Sequence, residues 1–284
     1  MSIVPFEALA CPLDGVPLHR EGAAWRCAGN HNFDIARQGY VHLLPVQNKR
    51  SREPGDSKDM VAARQRFLDA GYYQPIADAV ARAALEGVSP GSTLACLDAG
   101  CGEGYYLRRL AAVAGDSHTL ATLGLDISKW AVLAAARQDR RPSWVVSSNA
   151  NLSVLPASLD RILCLFGFPV YSEFARVLRP GGKLLQVDAG QDHLRELREI
   201  IYPSVREDSK TITRAPDGFR RAGTEDLRFT LHLAGAGPIA DLLAMTPHLY
   251  RASPEGRARA ATLETLSVTV DVCLQIFERC TLTD

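Results

Sequence analysis

Two groups of residues have the types and spacing that chemistry requires. In the first, Asp98-Ala99-Gly100-Cys101-Gly102-Glu103-Gly104-Tyr105-Tyr106 sets three glycines at alternate positions behind an acid. Glycines this close let a backbone approach a ligand without Cβ clashes, and a helix starting behind them aims N–H groups at it. Asp126 closes a second apolar run, Leu123-Gly124-Leu125, 28 residues after Asp98, and an acid there suits a ribose diol. The chemistry is that of a nucleotide-type pocket. In the second group, Cys11 pairs with Asp14 and Cys27 with His31, with twelve residues between the pairs. Two turns with two donors each can supply the four ligands of a tetrahedral zinc. A carboxylate departs from the usual N/S preference, so a zinc-free miniature fold with two buried cysteines stays open as the alternative. His19, which follows Pro17-Leu18, is a poorer substitute for Asp14.

A strand must deliver Asp98 and a helix must follow the glycines. Apolar runs predict strands over 93–98, 120–126, 143–147, 159–165 and 183–188, and helical spacing predicts helices over 104–114, 128–138 and 172–178. Arg179-Pro180-Gly181-Gly182 reads as a helix stop and a turn. Such alternation points to a doubly wound parallel sheet with ligands at the C-terminal strand edge. Further helices are expected over 58–70, 75–85, 192–201 and near 238–245, and long antiparallel strands over 228–233 and 266–277. The expected organisation is a small zinc-finger-like module over 1–45, a basic linker over 46–57 with a turn at Pro54-Gly55, and a main domain over 58–284. A module so short has too little core for stability without metal or packing against the larger domain.

Composition narrows the setting. A 46% hydrophobic content is ordinary for a globular protein with a real core, and the net charge of zero gives no general support for nucleic-acid binding. Any such surface must be a local patch. No apolar run approaches the roughly 20 residues of a membrane span. The N-terminal Met1–Glu7 lacks a basic segment and an apolar signal core, and the seven cysteines are scattered, so a cytoplasmic protein without disulfides is expected.

The glycine spacing separates two cofactor classes. A dinucleotide fingerprint has its third glycine three places after the second, whereas Gly104 falls two places after Gly102. With Asp98 in front, the loop resembles motif I of class I methyltransferases that use S-adenosylmethionine. The resemblance places Asp98 and the backbone of Gly100, Gly102 and Gly104 at the methionine part and Asp126 at the ribose.

Taken with the first module, the chain resembles the RlmA family of bacterial 23S ribosomal RNA guanine-N1 methyltransferases. The resemblance rests on His31 through Pro45, Gln47 through Gly55, Phe67-Leu68-Asp69-Ala70-Gly71-Tyr72-Tyr73-Gln74-Pro75, Gly100 through Tyr106, Arg179-Pro180-Gly181-Gly182, His193-Leu194 and Leu243-Ala244-Met245-Thr246-Pro247. It implies a class I, Rossmann-like fold with a seven-stranded, mostly parallel sheet. It also implies a cofactor pocket that includes Tyr73, Glu103, Gly104, Tyr105 and His193, and a finger that helps bind an rRNA hairpin. Asp14 departs from the family, where better-known members carry cysteine. The segment Leu165-Phe166-Gly167-Phe168-Pro169 is looser than the family's small-residue-Pro turn.

Guanine N1 carries a proton, so a general base or a donor to O6 is expected. No residue stands out as that base. Asp188 at a strand end is a candidate, with a solvated carboxylate as the plain alternative. Phe168 is a candidate to stack on a flipped base, with a packed core aromatic as the alternative. Lys49, Arg50, Arg52, Arg64 and Arg66 can form a phosphate-binding strip from finger to pocket. Cys96, Cys164 and Cys273 read as core, and Cys101 has no adjacent base that would make it a nucleophile. Two other readings compete: a small-molecule methyltransferase, and a non-catalytic RNA-binding factor that retains the fold. A homodimer that forms a joint RNA cleft is also compatible with the sequence.

Overall fold

The computed structural model describes residues 2–48, 51–204 and 214–281. The N-terminal segment contributes β1 (Ser2–Pro5), β2 (His19–Glu21), β3 (Ala24–Arg26), β4 (Asn32–Asp34) and β5 (Tyr40–His42). Two helices follow, α1 (Lys58–Asp69) and α2 (Gln74–Leu85). The alternating part runs β6 (Thr93–Ala99), α3 (Tyr105–Ala114), β7 (Thr119–Asp126), α4 (Lys129–Gln138), β8 (Ser143–Val146), β9 (Leu159–Leu165), α5 (Tyr171–Val177), β10 (Leu178–Ala189) and α6 (Arg195–Ile201). The chain continues with β11 (Phe219–Ala234), α7 (Ala236–Ala244), α8 (His248–Arg251), α9 (Pro254–Ala261) and β12 (Thr265–Arg279).

Local chemistry accounts for several boundaries. Ser57 caps α1 by accepting the Met60 N–H at 3.3 Å, and Ser128 caps α4 by accepting the Ala131 N–H at 3.3 Å. Pro75 sits in the first turn of α2, where its missing N–H costs nothing. Arg179-Pro180-Gly181-Gly182, expected as a turn between elements, lies within β10 as an irregularity where the register against β9 shifts.

The main sheet has the order β11-β12-β10-β9-β6-β7-β8-β5, with β1 also on β7. Seven of its strands come from residues 93–279, and β12 alone runs antiparallel to its neighbours β10 and β11. The expected seven strands are therefore present, and two more join them from the N-terminal segment. β5 pairs in parallel with β8, with Val41 opposite Val145, and β1 pairs in parallel with β7. Among the described residues, only β2, β3 and β4 form a separate antiparallel sheet. A single apolar cluster joins Leu9, Cys11, Leu18, Trp25, Cys27 and Leu43 to Leu97, Leu123, Val145 and Ile162 of the main sheet. The short module thus gains the core it lacks by packing on the larger sheet.

The order reverses at β6, whose neighbours are β7 on one side and β9 on the other. This switch point opens a crevice at the C-terminal strand ends, the usual ligand position in such sheets. Asp98 and Phe166, at or just beyond the ends of β6 and β9, both reach it.

Candidate functional site

The glycine loop turns sharply out of β6. Its Gly100 and Cys101 N–H groups donate to the Leu125 carbonyl at 2.8 and 2.9 Å, which ties it to the end of β7. Gly104 adopts φ +82° directly under the indole of Trp144, and a Cβ there would lie 2.5 Å from Cη2. Both conformation and space exclude a side chain at this position. Asp126 accepts the Gly102 N–H at 3.0 Å through Oδ2 and the Ser128 N–H at 2.8 Å through Oδ1.

Three carboxyl groups converge here in little water. Asp98 and Glu103 are each 1% exposed, and Asp98 Oδ2 and Glu103 Oε1 have no hydrogen-bond partner among the described residues. Burial, reinforced by Asp126 and Glu103, holds the Asp98 carboxyl well above its ordinary range, and burial also raises Glu103 and Asp126. Orphaned buried acceptors are costly unless a ligand satisfies them. A ligand that brings an ammonium group and a diol to this loop fits them.

A wall of rings borders the loop. Tyr73, at the start of α2, is 3% exposed, and its hydroxyl lies 3.4 Å from His193 Nε2. His193 Nδ1 accepts the Asp271 N–H at 3.3 Å, so the neutral ring carries its proton on Nε2 and donates toward Tyr73. Burial, followed by the positive charges of His248 and Arg198, pushes the His193 pKa down to about 4. Phe166 stacks on His193 with centroids 5.7 Å apart and planes 28° apart, and it also lies 5.9 Å from Tyr73. Phe166 holds φ +54°, a conformation that is rare for an aromatic residue and concentrated at functional sites. Beside it, a Cβ on Gly167 would lie 3.4 Å from the Ala99 carbonyl, so this loop rests against the start of the glycine loop. Phe168 is 89% exposed, which overturns its alternative as a core aromatic. The Asn149 amide anchors it by donating to the Phe168 carbonyl at 3.2 Å.

Ser147, expected in a strand, instead opens the turn Ser148-Asn149-Ala150-Asn151 just past β8, which no motif in the sequence singled out. The Ser147 N–H donates to the Asp126 carbonyl at 3.0 Å, which places this polar turn on the same strand-end edge. A cluster of small polar residues directly after an apolar strand was its signal.

Asp188 is placed differently from a catalytic base. Its carboxylate accepts from Gln186 Nε2 at 2.7 Å and Gln275 Nε2 at 3.4 Å, on the face of β10 opposite Val187. Val187 packs in the same cluster as Tyr73 and Tyr105, so Asp188 faces away from them.

The phosphate strip is only partly formed. Arg52 is exposed, while Lys49 and Arg50 lie outside the described residues. Arg66 pairs with Asp241 at 2.5 Å. Arg64 is turned inward: it meets Asp56 at 2.5 Å and donates to the Met245 carbonyl at 3.2 Å. Its hydrophobic stem lies across Gly102, with Cδ 3.5 Å from where a Cβ would stand. Long-range pairing with Asp56 and Met245, invisible in the sequence, draws it off the surface.

The N-terminal turns bring their four donors together. Ligand atoms of Cys11, Asp14, Cys27 and His31 all lie within 4.8 Å of one another. His31 Nδ1 is 3.4 Å from Cys11 Sγ, 3.3 Å from Cys27 Sγ and 3.0 Å from Asp14 Oδ2, and Cys27 Sγ is 3.4 Å from Asp14 Oδ2. Tetrahedral zinc with Zn–S near 2.3 Å and Zn–N near 2.0 Å separates its donors by roughly 3.3–3.7 Å, and these four separations fall within or just below that range. Burial holds the Cys11 thiol up at about 11, and a metal would have to displace its proton. Gly29 leaves room for the site, since a Cβ there would meet Asp14 Oδ2 at 2.5 Å. His19 stands outside the cluster, on β2. The donor set is compatible with zinc.

A glycine loop at the switch point, an acid ending the neighbouring strand and a sheet closed by one antiparallel strand define a class I S-adenosylmethionine-dependent methyltransferase fold. The comparisons agree, with a methyltransferase domain matched over residues 96–182 and the N-terminal zinc ribbon of RlmA over residues 9–52. The chain is 35% identical to the 23S rRNA (guanine(748)-N(1))-methyltransferase of Streptomyces fradiae, over 93% of this chain and 96% of that protein. It is 36% identical to a provisionally named 23S rRNA (guanine-N(1)-)-methyltransferase of Micromonospora griseorubida, over 94% and 95%. A provisionally named Bacillus subtilis counterpart is 29% identical over 96% and 98%. The chain belongs to the RlmA family of 23S rRNA (guanine-N1)-methyltransferases.

Proposed function

We propose that this protein transfers the methyl group of S-adenosylmethionine to N1 of a guanine in a hairpin loop of 23S ribosomal RNA, with the N1 proton passing to solvent. The near full-length similarity to the Streptomyces fradiae enzyme carries this reading. The orphaned carboxylates at the glycine loop support the cofactor, and the exposed aromatic beside that loop supports a base as acceptor.

When bound, S-adenosylmethionine supplies a methyl group on a positively charged sulfur, open to in-line attack. In the proposed site Asp98 and Glu103 satisfy the cofactor's ammonium, and Asp126 holds its ribose hydroxyls. The backbone of Gly100, Gly102, Gly104 and Tyr105 lets the cofactor lie close. Tyr73, Phe166 and the neutral His193 form an apolar wall that excludes water and brings no cation toward the sulfonium. Phe168 stacks on the flipped guanine and holds N1 toward the methyl group; alignment of this kind supplies much of the rate in such displacements. The zinc ribbon and a strip that includes Lys49, Arg50 and Arg52 grip the RNA backbone.

An rRNA substrate supports a cytoplasmic location. Among the described residues no helix is long and apolar enough to cross a membrane. We also propose a homodimer in which two chains share the RNA cleft, with light scattering after size exclusion as the check of mass. The function itself is tested by mass spectrometry of 23S rRNA from a deletion strain. Loss of one 1-methylguanosine, restored by the intact gene, is the expected result, and an unchanged modification profile overturns the assignment.

A further inference from the structure

The cofactor's amino-acid end carries two charges, an ammonium and a carboxylate. The glycine loop provides generously for the first and, on its own, poorly for the second. Asp98, Glu103 and Asp126 line it with three buried or half-buried carboxyl groups. A ligand carboxylate brought into that field is repelled unless a cation stands beside it.

Two arginines approach this loop. Arg108, on α3, is already committed, with Nη1 donating to the Glu103 carbonyl at 2.7 Å and Nη2 shared between Asp69 at 3.2 Å and the Glu103 carboxylate at 3.7 Å. Arg64, on α1, lies over the loop itself, and its Nη1 is 3.6 Å from where a Gly102 Cβ would stand. Its side chain is 22% exposed, and Glu103 and Asp126 are among the charges that raise its pKa. Among the described residues, its one carboxylate partner within ion-pair distance is Asp56, at 2.5 Å, in the linker that leaves the zinc ribbon. That linker is itself seated on the cofactor strand end. Ser128 donates to the Asp56 carbonyl at 2.7 Å, and a Cβ on Gly55 would meet Ser128 N at 2.9 Å.

We propose that Arg64 binds the α-carboxylate of S-adenosylmethionine, and that Asp56 occupies this guanidinium as an internal substitute when the pocket is free. This rests on the cofactor reading above. The fork of a guanidinium matches a carboxylate in two-point geometry, and the side chain keeps its charge at every working pH. Cofactor binding thereby exchanges one carboxylate for another at the guanidinium, while the Asp56 backbone stays tied to Ser128. Arg64 is a cofactor-binding residue in this scheme and not part of the RNA strip.

The test compares two ligands by calorimetry without RNA: S-adenosylmethionine, and its decarboxylated analogue, which keeps the nucleoside, sulfonium and ammonium. Wild-type protein is expected to favour the intact cofactor at least tenfold. Arg64→Met should erase most of that preference by weakening the intact cofactor while leaving the analogue within about twofold, and Arg64→Lys should restore part of it. Equal loss for both ligands, or an unchanged preference, overturns the proposal. Should Arg64→Met fail to fold, Asp56→Asn decides, because it removes the competing charge and keeps the guanidinium. The intact cofactor should then bind several-fold tighter and the analogue unchanged, and no differential change overturns the proposal. Wild-type protein that binds neither ligand would instead defeat the cofactor reading beneath it.

Discussion

The indole of Trp144 fills the space that a side chain on Gly104 would need, with Cη2 2.5 Å from the position of its Cβ. The same ring closes the space above Gly124, so one buried tryptophan fixes both the glycine loop and the strand that ends in Asp126. Trp144 is 1% exposed, and its indole N–H donates to the Asp139 carbonyl at 2.6 Å, which leaves it little freedom to withdraw.

Gly104→Ala should therefore cost about 1–3 kcal/mol of stability, through strain at positive φ and overpacking against the ring. It should also weaken S-adenosylmethionine binding at least tenfold. Urea unfolding and calorimetry check the two effects. For Gly124→Ala, whose backbone is unstrained, a second change of Trp144→Phe should recover part of the loss.

Purified protein should carry about one zinc per chain by elemental analysis. Asp14→Cys, which supplies a softer donor at the same corner, should slow loss of the metal to a chelator at least tenfold, and Cys27→Ser should abolish retention. Gly29→Ala should behave as a metal-site variant although it removes no ligand, because its Cβ would crowd Asp14 Oδ2.

Phe168→Ala removes a ring that is 89% exposed, so stability and cofactor affinity should change little. Loss of base stacking worth about 1–3 kcal/mol should lower kcat/KM for an rRNA fragment roughly 5–150-fold. Steady-state kinetics with a hairpin substrate separates this from a folding defect.

His193 is held neutral, its pKa pushed down to about 4 from an ordinary value of 6.5. Below pH 6.5 the unfolded chain takes up a proton at this ring that the folded protein refuses. The associated stability is complete above pH 6.5 and is lost as the pH falls toward 4, by an amount on the order of 3 kcal/mol. His193→Gln should flatten that part of the profile in urea unfolding between pH 7 and 4.5. A profile as steep as wild type would show that His248, also lowered to about 4, or the carboxylates dominate it.

What could be read in advance was what is local in sequence. The strand, glycines and helix from 93 to 114 sit within one stretch of chain, and the four metal donors come as two short turns. Elements fixed by distant partners escaped. β1 is four residues long and finds its partner more than a hundred residues away, at Thr119–Thr122. α9, Pro-Glu-Gly-Arg-Ala-Arg-Ala-Ala, has no apolar stripe, and it was missed because only Gly256 and Ala260 among its residues are buried. Arg64 looked like one more surface charge because nothing in its own segment announces Asp56 or Met245. Asp188 looked like a strand-end acid because the strand's alternation, which turns it away from Tyr73, depends on register with β9 and β12.

The pairing of β5 with β8 has a mechanical consequence. Tyr40 through His42 are hydrogen-bonded to the strand beside the one that ends in Asp126, so the zinc ribbon hangs from the same rigid lattice as the methyl donor. A ribbon on a loose tether would capture RNA and leave the target base to be searched for. Under the proposed function, a ribbon stitched to the sheet would act as a caliper, one jaw for the hairpin and the other the pocket, with the gap between them selecting the nucleotide.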